Sequence, residues 1–290
     1  EGENRFTFNI NGVNVFCKGA NWVPGDSITT DAPSEKYKFF LEKAVECNMN
    51  MLRIWGGGIY EHDLFYERWD ELGIMVWQDF LYACAMYPDE DKEFMENVED
   101  ESKKAIIRLR NHPSLVIWCG NNENQVGWEN WGWKNMAPRH FGERIYDKLL
   151  PDICAELDPS RPYHPGSPFG GSNPNSYEEG DVHDWRIWHR GDPYQSFEDN
   201  TGRFISEYGL QGAPNIDTVK KYLPKLKQWP LNDLWKFHHL VPEKMEKYLP
   251  EFGEPKSVEE FVTITQLAQA QTYKFAMESF QSSEGGLSRL

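Results

Sequence analysis

The sequence predicts an α/β fold: a (β/α)8 TIM-type barrel, irregular in its second half, preceded by a short N-terminal hairpin. Three observations carry that expectation. Short, nearly continuous apolar strands alternate with helical segments, the pattern of a parallel sheet covered by helices. Eight candidate strands fit within 290 residues, which suits a barrel better than a doubly wound sheet. Polar residues recur where strands end: Asn21, Arg53, Gln78 with Asp79, Asn122 with Glu123, His183 and Glu207. The C-terminal mouth is where such barrels place chemistry. No Gly-rich nucleotide fingerprint follows the first strand, which counts against a dinucleotide-binding sheet.

The elements follow in order. Residues 7–21 alternate, turn at Asn11-Gly12 and alternate again, a hairpin whose second arm enters a core strand over 15–20. Ser34 caps a helix that sets Tyr37, Phe40, Leu41, Ala44 and Val45 on one face. The apolar strand "NMLRIW" is closed by Gly56, Gly57 and Gly58. With no Lys-Ser/Thr after them these glycines are no phosphate cradle, and they let the backbone turn close beneath a ligand. A helix over 61–72 stops at Gly73. The strand "IMVWQDF", a helix over 91–110 and the strand "LVIWCG" complete the regular half. After a helix over 139–157 the helices thin out. Strands are expected at "RPYHPGS", "GDVHDW", "RFISEYG" and "GGLSRL", and Ser257 with Glu260 forms a capping box for a long helix over 258–281.

Composition narrows the function. The net charge of −16 repels nucleic acid and anionic membrane surfaces. No run of about 20 apolar residues is present to span a bilayer. The opening "EGENRFTFNINGV" is no signal peptide, although a chain that starts on Glu1 is what a fragment of a longer protein would show. The five cysteines are scattered and odd in number, which favours neither zinc nor disulfides. A reducing, cytoplasmic location is the expectation.

The stretch "VIWCGNNENQVGW" runs an apolar strand straight into Asn121, Asn122 and Glu123, with Trp128, Trp131 and Trp133 close behind. A solvated loop needs polar residues but not tryptophans. The mixture fits a site that grips something flat and partly apolar with a carboxyl group aimed at it. A second carboxylate, Glu207, likewise follows apolar strand residues in "FISEYGLQG". Glycoside cleavage needs such a pair, an acid for the leaving oxygen and a carboxylate on the other face of the sugar. Neighbouring carboxylates also push each other's pKa values apart, so one stays protonated while the other is ionised. For any one strand-end residue the plain alternative is a cap or a solvated loop; the repetition along the chain argues against it.

The segments "KGANWVPGDS", "RIWGGGIYE", "WQDFLYACAMYP", "GNNEN", "GDVHDW" and "SEYGLQG", in that order between Lys18 and Gly212, resemble glycoside hydrolase family 2, specifically its β-mannosidases. The resemblance implies an exo-acting, retaining enzyme that removes terminal β-mannose from mannose-containing oligosaccharides or glycosides, without metal or organic cofactor. It makes Glu123 the acid/base, Glu207 the nucleophile and Asn122 the partner of the sugar 2-hydroxyl. Arg53 would hold the nucleophile ionised, as a guanidinium lowers a carboxylate pKa by about one to three units; its plain alternative is a structural ion pair. Trp55 and Trp131 would wall the sugar pocket, or Trp131 would pack within its loop. His183 would donate to a sugar hydroxyl or sit as a satisfied core histidine. Asp79 would touch substrate or cap its strand. Trp22 and Asp26 match the family's first-strand motif without an assignable role.

Two departures stand out. Relatives often read His-Tyr-Trp where this chain has His183, Asp184 and Trp185, so the tyrosine assisting the nucleophile is unplaced between Tyr208 and Tyr194. Relatives also carry flanking β-sandwich domains and an aromatic eighth strand. Residues 1–290 are therefore expected to be the catalytic barrel portion of a longer enzyme, or a trimmed one. Other activities of the family, β-galactosidase or β-glucuronidase, and an inactive carbohydrate-binding barrel remain open alternatives.

Overall fold

The computed structural model describes residues 6–26, 28–29, 34–223, 229 and 231–282. The strand expected at 285–290 and the side-chain cap expected of Ser34 lie outside what is described. The chain divides into two compact units. One takes in the chain through His183 together with Gly202–Ser206; the other takes in Asp184–Thr201 and the chain from Glu207 to Gly286.

In the first unit, β1 (Phe8–Ile10) and β2 (Val13–Val15) form the expected antiparallel hairpin. Its turn uses Asn11 at φ +52° and Gly12 at φ +83°, the pairing a two-residue hairpin loop prefers. β2 stops at Val15, and the core strand starts only at Gly19. β3 (Gly19–Trp22), β4 (Met51–Ile54), β5 (Met75–Asp79), β6 (Leu115–Cys119) and β7 (Tyr163–His164) pair in chain order, all parallel. Between them lie α1 (Ser34–Glu46), α2 (Asp63–Leu72), α3 (Lys92–Leu109), α4 (Asn124–Asn130) and α5 (Leu150–Leu157).

Alternation along the strands divides the core. Leu52, Ile54, Val76 and Trp118 pack with helix residues Leu41, Trp69, Ile106 and Leu150. Met51, Trp77, Ile117 and Cys119 pack with Phe8, Cys17 and Phe204. Strands buried on both faces need apolar residues at every position, hence the unbroken apolar runs. Arg53 and Asp79, two residues beyond Met51 and Trp77, fall on the second face by strand period. A register shift between Val76 and Trp77 sets Asp79 opposite Cys119.

α2 stops where Gly73 takes φ +68° and returns its N–H to Trp69 O. Asp91 caps α3 by accepting from the Phe94 N–H at 2.8 Å. The helix expected from Arg139 starts later, as a π-helical stretch over Ile145–Leu149 that leads into α5. Gly142 breaks the backbone at φ +98°, and Arg139 is drawn to Asp89 and Glu90 instead. Pro151, in the first turn of α5, has no N–H to offer the ordinary ladder. β8 (Val182–Asp184) and β9 (Ile205–Tyr208) form a two-stranded sheet, with Val182 N–H donating to Phe204 O at 2.8 Å.

The second unit is mostly helical. α6 (Arg186–Arg190), α7 (Ile216–Tyr222), α8 (Asp233–Phe237) and α9 (Pro242–Met245) precede the long α10 (Val258–Ser282). Val219, Trp235, Leu240, Met245, Phe261 and Val262 form its core. The thinning of helices expected after Leu157 is therefore incorrect. α6–α9 are too short to display helical periodicity. At the start of α10, Ser257 Oγ accepts from Glu260 N–H at 3.2 Å, while Glu260 Oε2 accepts from Lys256 N–H rather than from Ser257.

Candidate active site

In the first unit several strand-end residues form one network around the buried Arg53. Arg53 is fully buried and donates to Asp79 Oδ2 at 2.7 Å, Asp79 Oδ1 at 3.2 Å, Asn122 Oδ1 at 2.7 Å and Asn21 Oδ1 at 3.3 Å. Asp79 also accepts from Trp77 Nε1 at 2.8 Å and Gly56 N–H at 3.0 Å. With both oxygens so occupied and no exposed surface, Asp79 orients Arg53 rather than reaching for a ligand. Arg53 offers only donors, so the amide oxygen of Asn122 must face it. The Asn122 Nδ2 is thereby turned toward Cys84 Sγ, 3.4 Å away.

Glu123 follows at the N-terminus of α4 with φ +61°, a left-handed conformation costly for a residue with a side chain. Its N–H donates to Ser167 O at 2.8 Å. Oε1 lies 2.7 Å from His183 Nδ1, and Oε2 lies 3.5 Å from Cys84 Sγ. Burial pushes the Glu123 carboxyl up. His183, by hydrogen bond and charge, outweighs it with help from Cys84 and Arg53, so the net shift is downward. His183 thus presents one ring nitrogen to Glu123 and the other to Ser167 Oγ at 2.9 Å, the satisfied buried histidine of the two alternatives.

The tryptophans separate into different roles. Trp22 is core: its Nε1 donates to the buried Glu61, which also accepts from Tyr37. Trp55 lies on Gly57, where an added Cβ would come within 2.0 Å of the indole. At Gly56 an added Cβ would meet Phe80 O at 2.7 Å. The glycine run therefore makes room for the protein's own Trp55 and for the loop after β5, not for a ligand. Trp131 is 46% exposed and touches Trp133 edge-on; Trp128 stacks on His140. Sequence reasoning missed Cys84, Ser167 and Asp181. Each lay in or beside a quoted segment, but nothing local marked a thiol, a hydroxyl or another acid as special.

In the second unit Glu207 is buried on β9, and its Oε2 accepts from Trp185 Nε1 at 3.0 Å. Asp184, the departure from the related pattern, takes both prongs of Arg186 at 2.9 and 2.8 Å and Asn200 Nδ2 at 2.7 Å. Tyr194 turns its hydroxyl to Glu251, 3.1 Å away. Tyr208 packs among Phe197, Tyr273 and Phe280.

Comparison with known proteins bears on this geometry. Residues 62–173 match the family model described as glycosyl hydrolases family 2, TIM barrel domain. Beta-mannosidase B of Thermothelomyces thermophilus is 38% identical over 92% of this chain and 34% of its own length. Beta-mannosidase B of Aspergillus flavus is 36% identical over 97% of this chain and 35% of its own. The crystal structure of beta-D-mannosidase from Dictyoglomus thermophilum superposes with a TM-score of 0.92 at 42% identity, over 99% of this chain and 36% of that one. The expected TIM-barrel class is thereby borne out. The chain spans about a third of the length of the curated relatives it matches. Among the described residues no helix is long and apolar enough to cross a membrane.

Proposed function

We propose that the chain, which belongs to glycosyl hydrolase family 2 through its TIM barrel domain, is the catalytic barrel of an exo-acting, retaining β-mannosidase. Glu123 protonates the glycosidic oxygen. Glu207 attacks the anomeric carbon, and the aglycone departs as an alcohol, leaving mannose bonded to Glu207. Glu123, now a carboxylate, takes a proton from water as that water displaces Glu207, and the second inversion restores the β configuration. Asn122, its amide set by Arg53, addresses the 2-hydroxyl. Trp55 and Trp131 offer apolar faces to the sugar ring. The substrates are mannose-containing glycosides.

The observation that carries this reading is the state of Glu123. A carboxyl at a strand end, in a left-handed backbone conformation, is gripped at one oxygen by His183 and approached at the other by Cys84. Such a restrained carboxyl is what proton delivery to one fixed oxygen requires.

Aryl β-mannoside, β-galactoside and β-glucuronide, each incubated with the full chain, test the substrate; turnover confined to the mannoside is expected. Azide then tests the roles. Glu123→Ala with an activated aryl mannoside should release β-mannosyl azide, because azide displaces Glu207 from the covalent sugar. Glu207→Ala should release α-mannosyl azide by one direct inversion. Reversed stereochemistry would exchange the two roles, and wild-type activity in either variant would remove the pair from the chemistry.

A further inference from the structure

His183 joins Glu123 to a buried chain of groups that the proposed reaction does not use. Beyond it, Ser167 Oγ lies 2.6 Å from Asp181 Oδ2, and Ser206 Oγ closes on the same oxygen. Asp181 Oδ1 accepts from His164 Nε2 at 2.8 Å and from Phe169 N–H at 3.0 Å. Asp181 is fully buried. Burial raises its carboxyl, but His164, by hydrogen bond and charge, with His183 and Ser167, brings it down to about 2. It is therefore a carboxylate, which accepts and never donates.

The polarity of the chain follows. Two oxygens 2.6 Å apart need a hydrogen between them, and Asp181 has none to give. The Ser167 hydroxyl hydrogen must point at Asp181. Ser167 has no second hydrogen, so toward His183 it can only accept, and His183 Nε2 must carry its proton. Nor is this a nucleophilic triad: Ser167 is fully buried and its hydrogen is committed to Asp181 rather than to the histidine.

We propose that Ser167 and Asp181 are positioning residues that hold His183 with hydrogen on Nε2, so that a single exchangeable proton closes the contact between His183 Nδ1 and Glu123 Oε1. That proton has two places: on Nδ1, facing a carboxylate, or on Oε1, facing a bare nitrogen. Removing it sets a nitrogen lone pair against a carboxylate at 2.7 Å. A histidine free to choose its tautomer would escape by carrying its remaining hydrogen on Nδ1. Ser167 blocks the escape, because Nε2 would then face an oxygen lone pair. The pair therefore resists losing its last proton, which rests on His183 Nδ1 while the lowered Glu123 carboxyl is ionised and is there to return to Oε1. Other described groups of this unit that face the pair include Cys84 on Glu123 Oε2, Arg53 acting by charge, and His164 beyond Asp181. That the proton goes on to the glycosidic oxygen rests on the acid/base reading above; the tautomer itself does not.

Nitrogen-15 NMR of the histidine rings in the full chain tests the tautomer directly, with His183→Gln supplying the assignment. Neutral His183 carrying hydrogen on Nε2 is expected in the wild type. In Ser167→Ala the neutral ring should move toward hydrogen on Nδ1, and Ser167→Thr, which keeps the hydroxyl, should restore it. On an aryl β-mannoside the alkaline limb of kcat/KM should fall by about one pH unit in Ser167→Ala and stay in place in Ser167→Thr. Hydrogen on Nδ1 in the neutral wild-type ring would overturn the proposal, whether or not Ser167→Ala folds. So would an alkaline limb unmoved in Ser167→Ala. If the chain cleaves no glycoside, the NMR result still decides the tautomer, so the two readings fail separately.

Discussion

Arg53 and Asp181 are ionisable groups out of water, Glu123 is half-buried, and each is held by its partners. For Asp181 those partners have a measurable consequence. Its carboxyl is lowered from the ordinary 3.8 to about 2 in the folded chain. A depressed carboxylate stabilises the fold above the unfolded pKa and loses that contribution as pH falls through the folded one. The stabilisation should be present above about pH 4 and disappear toward pH 2, amounting to about 2 kcal/mol. Urea unfolding across that window should show the slope in the wild type. Asp181→Asn should be less stable throughout but flatter, and an unchanged slope would mean that Asp181 is not the group responsible. Cys84 shows how context makes a residue matter. Exposed, and at φ +49°, it stands 3.5 Å from Glu123 Oε2.

Boundaries of the elements rest on local chemistry that single substitutions can reach. Asp91 supplies the side-chain cap of α3, and Asp91→Ala should cost about 1 kcal/mol. Gly73 has open space around the position of a Cβ, so Gly73→Ala meets no clash. Its φ of +68° still disfavours a side chain, and the expected cost is again about 1 kcal/mol, from conformation alone. Chemical denaturation reads both losses. Gly57 differs in kind, because there the obstacle is the Trp55 indole. Gly57→Ala should displace that ring and raise KM for an aryl mannoside more than it lowers kcat. Equal KM with normal stability would remove Trp55 from the sugar site.

For the whole chain, the proposed chemistry needs one carboxyl protonated and one ionised, so the rate should fall on both sides of an optimum. Glu123→Gln should erase the alkaline limb and slow poor leaving groups most, since these depend most on proton donation. Undiminished turnover of an alkyl mannoside by this variant would reject Glu123 as the acid. The net charge of −16 adds a simpler expectation. The chain should show no salt-dependent retention on duplex DNA, because a surface this acidic repels phosphate.

Much of the first unit was legible before any coordinates, because its signals are local. Apolar runs located β4, β5 and β6; Gly73 and Asp91 marked helix ends; Arg53, Asp79, Asn122 and Glu123 were visible as polar residues closing those runs. Side-chain direction along a strand has a period of two, so a residue's place in the strand already fixes its face. The short helices α6–α9 escaped because a helix of one or two turns leaves no periodic trace. Tertiary structure alone decided what the strand-end residues do. Asp79 became the anchor of Arg53, Trp22 a core residue on Glu61, and His183 the partner of Glu123 across 60 positions of chain. The hydrogen on His183 depends on Ser167 and Asp181, from two further segments. Hydrogen-bond polarity belongs to atoms within about 3 Å of one another, and which atoms come that close is set by strand order and register rather than by neighbours in sequence.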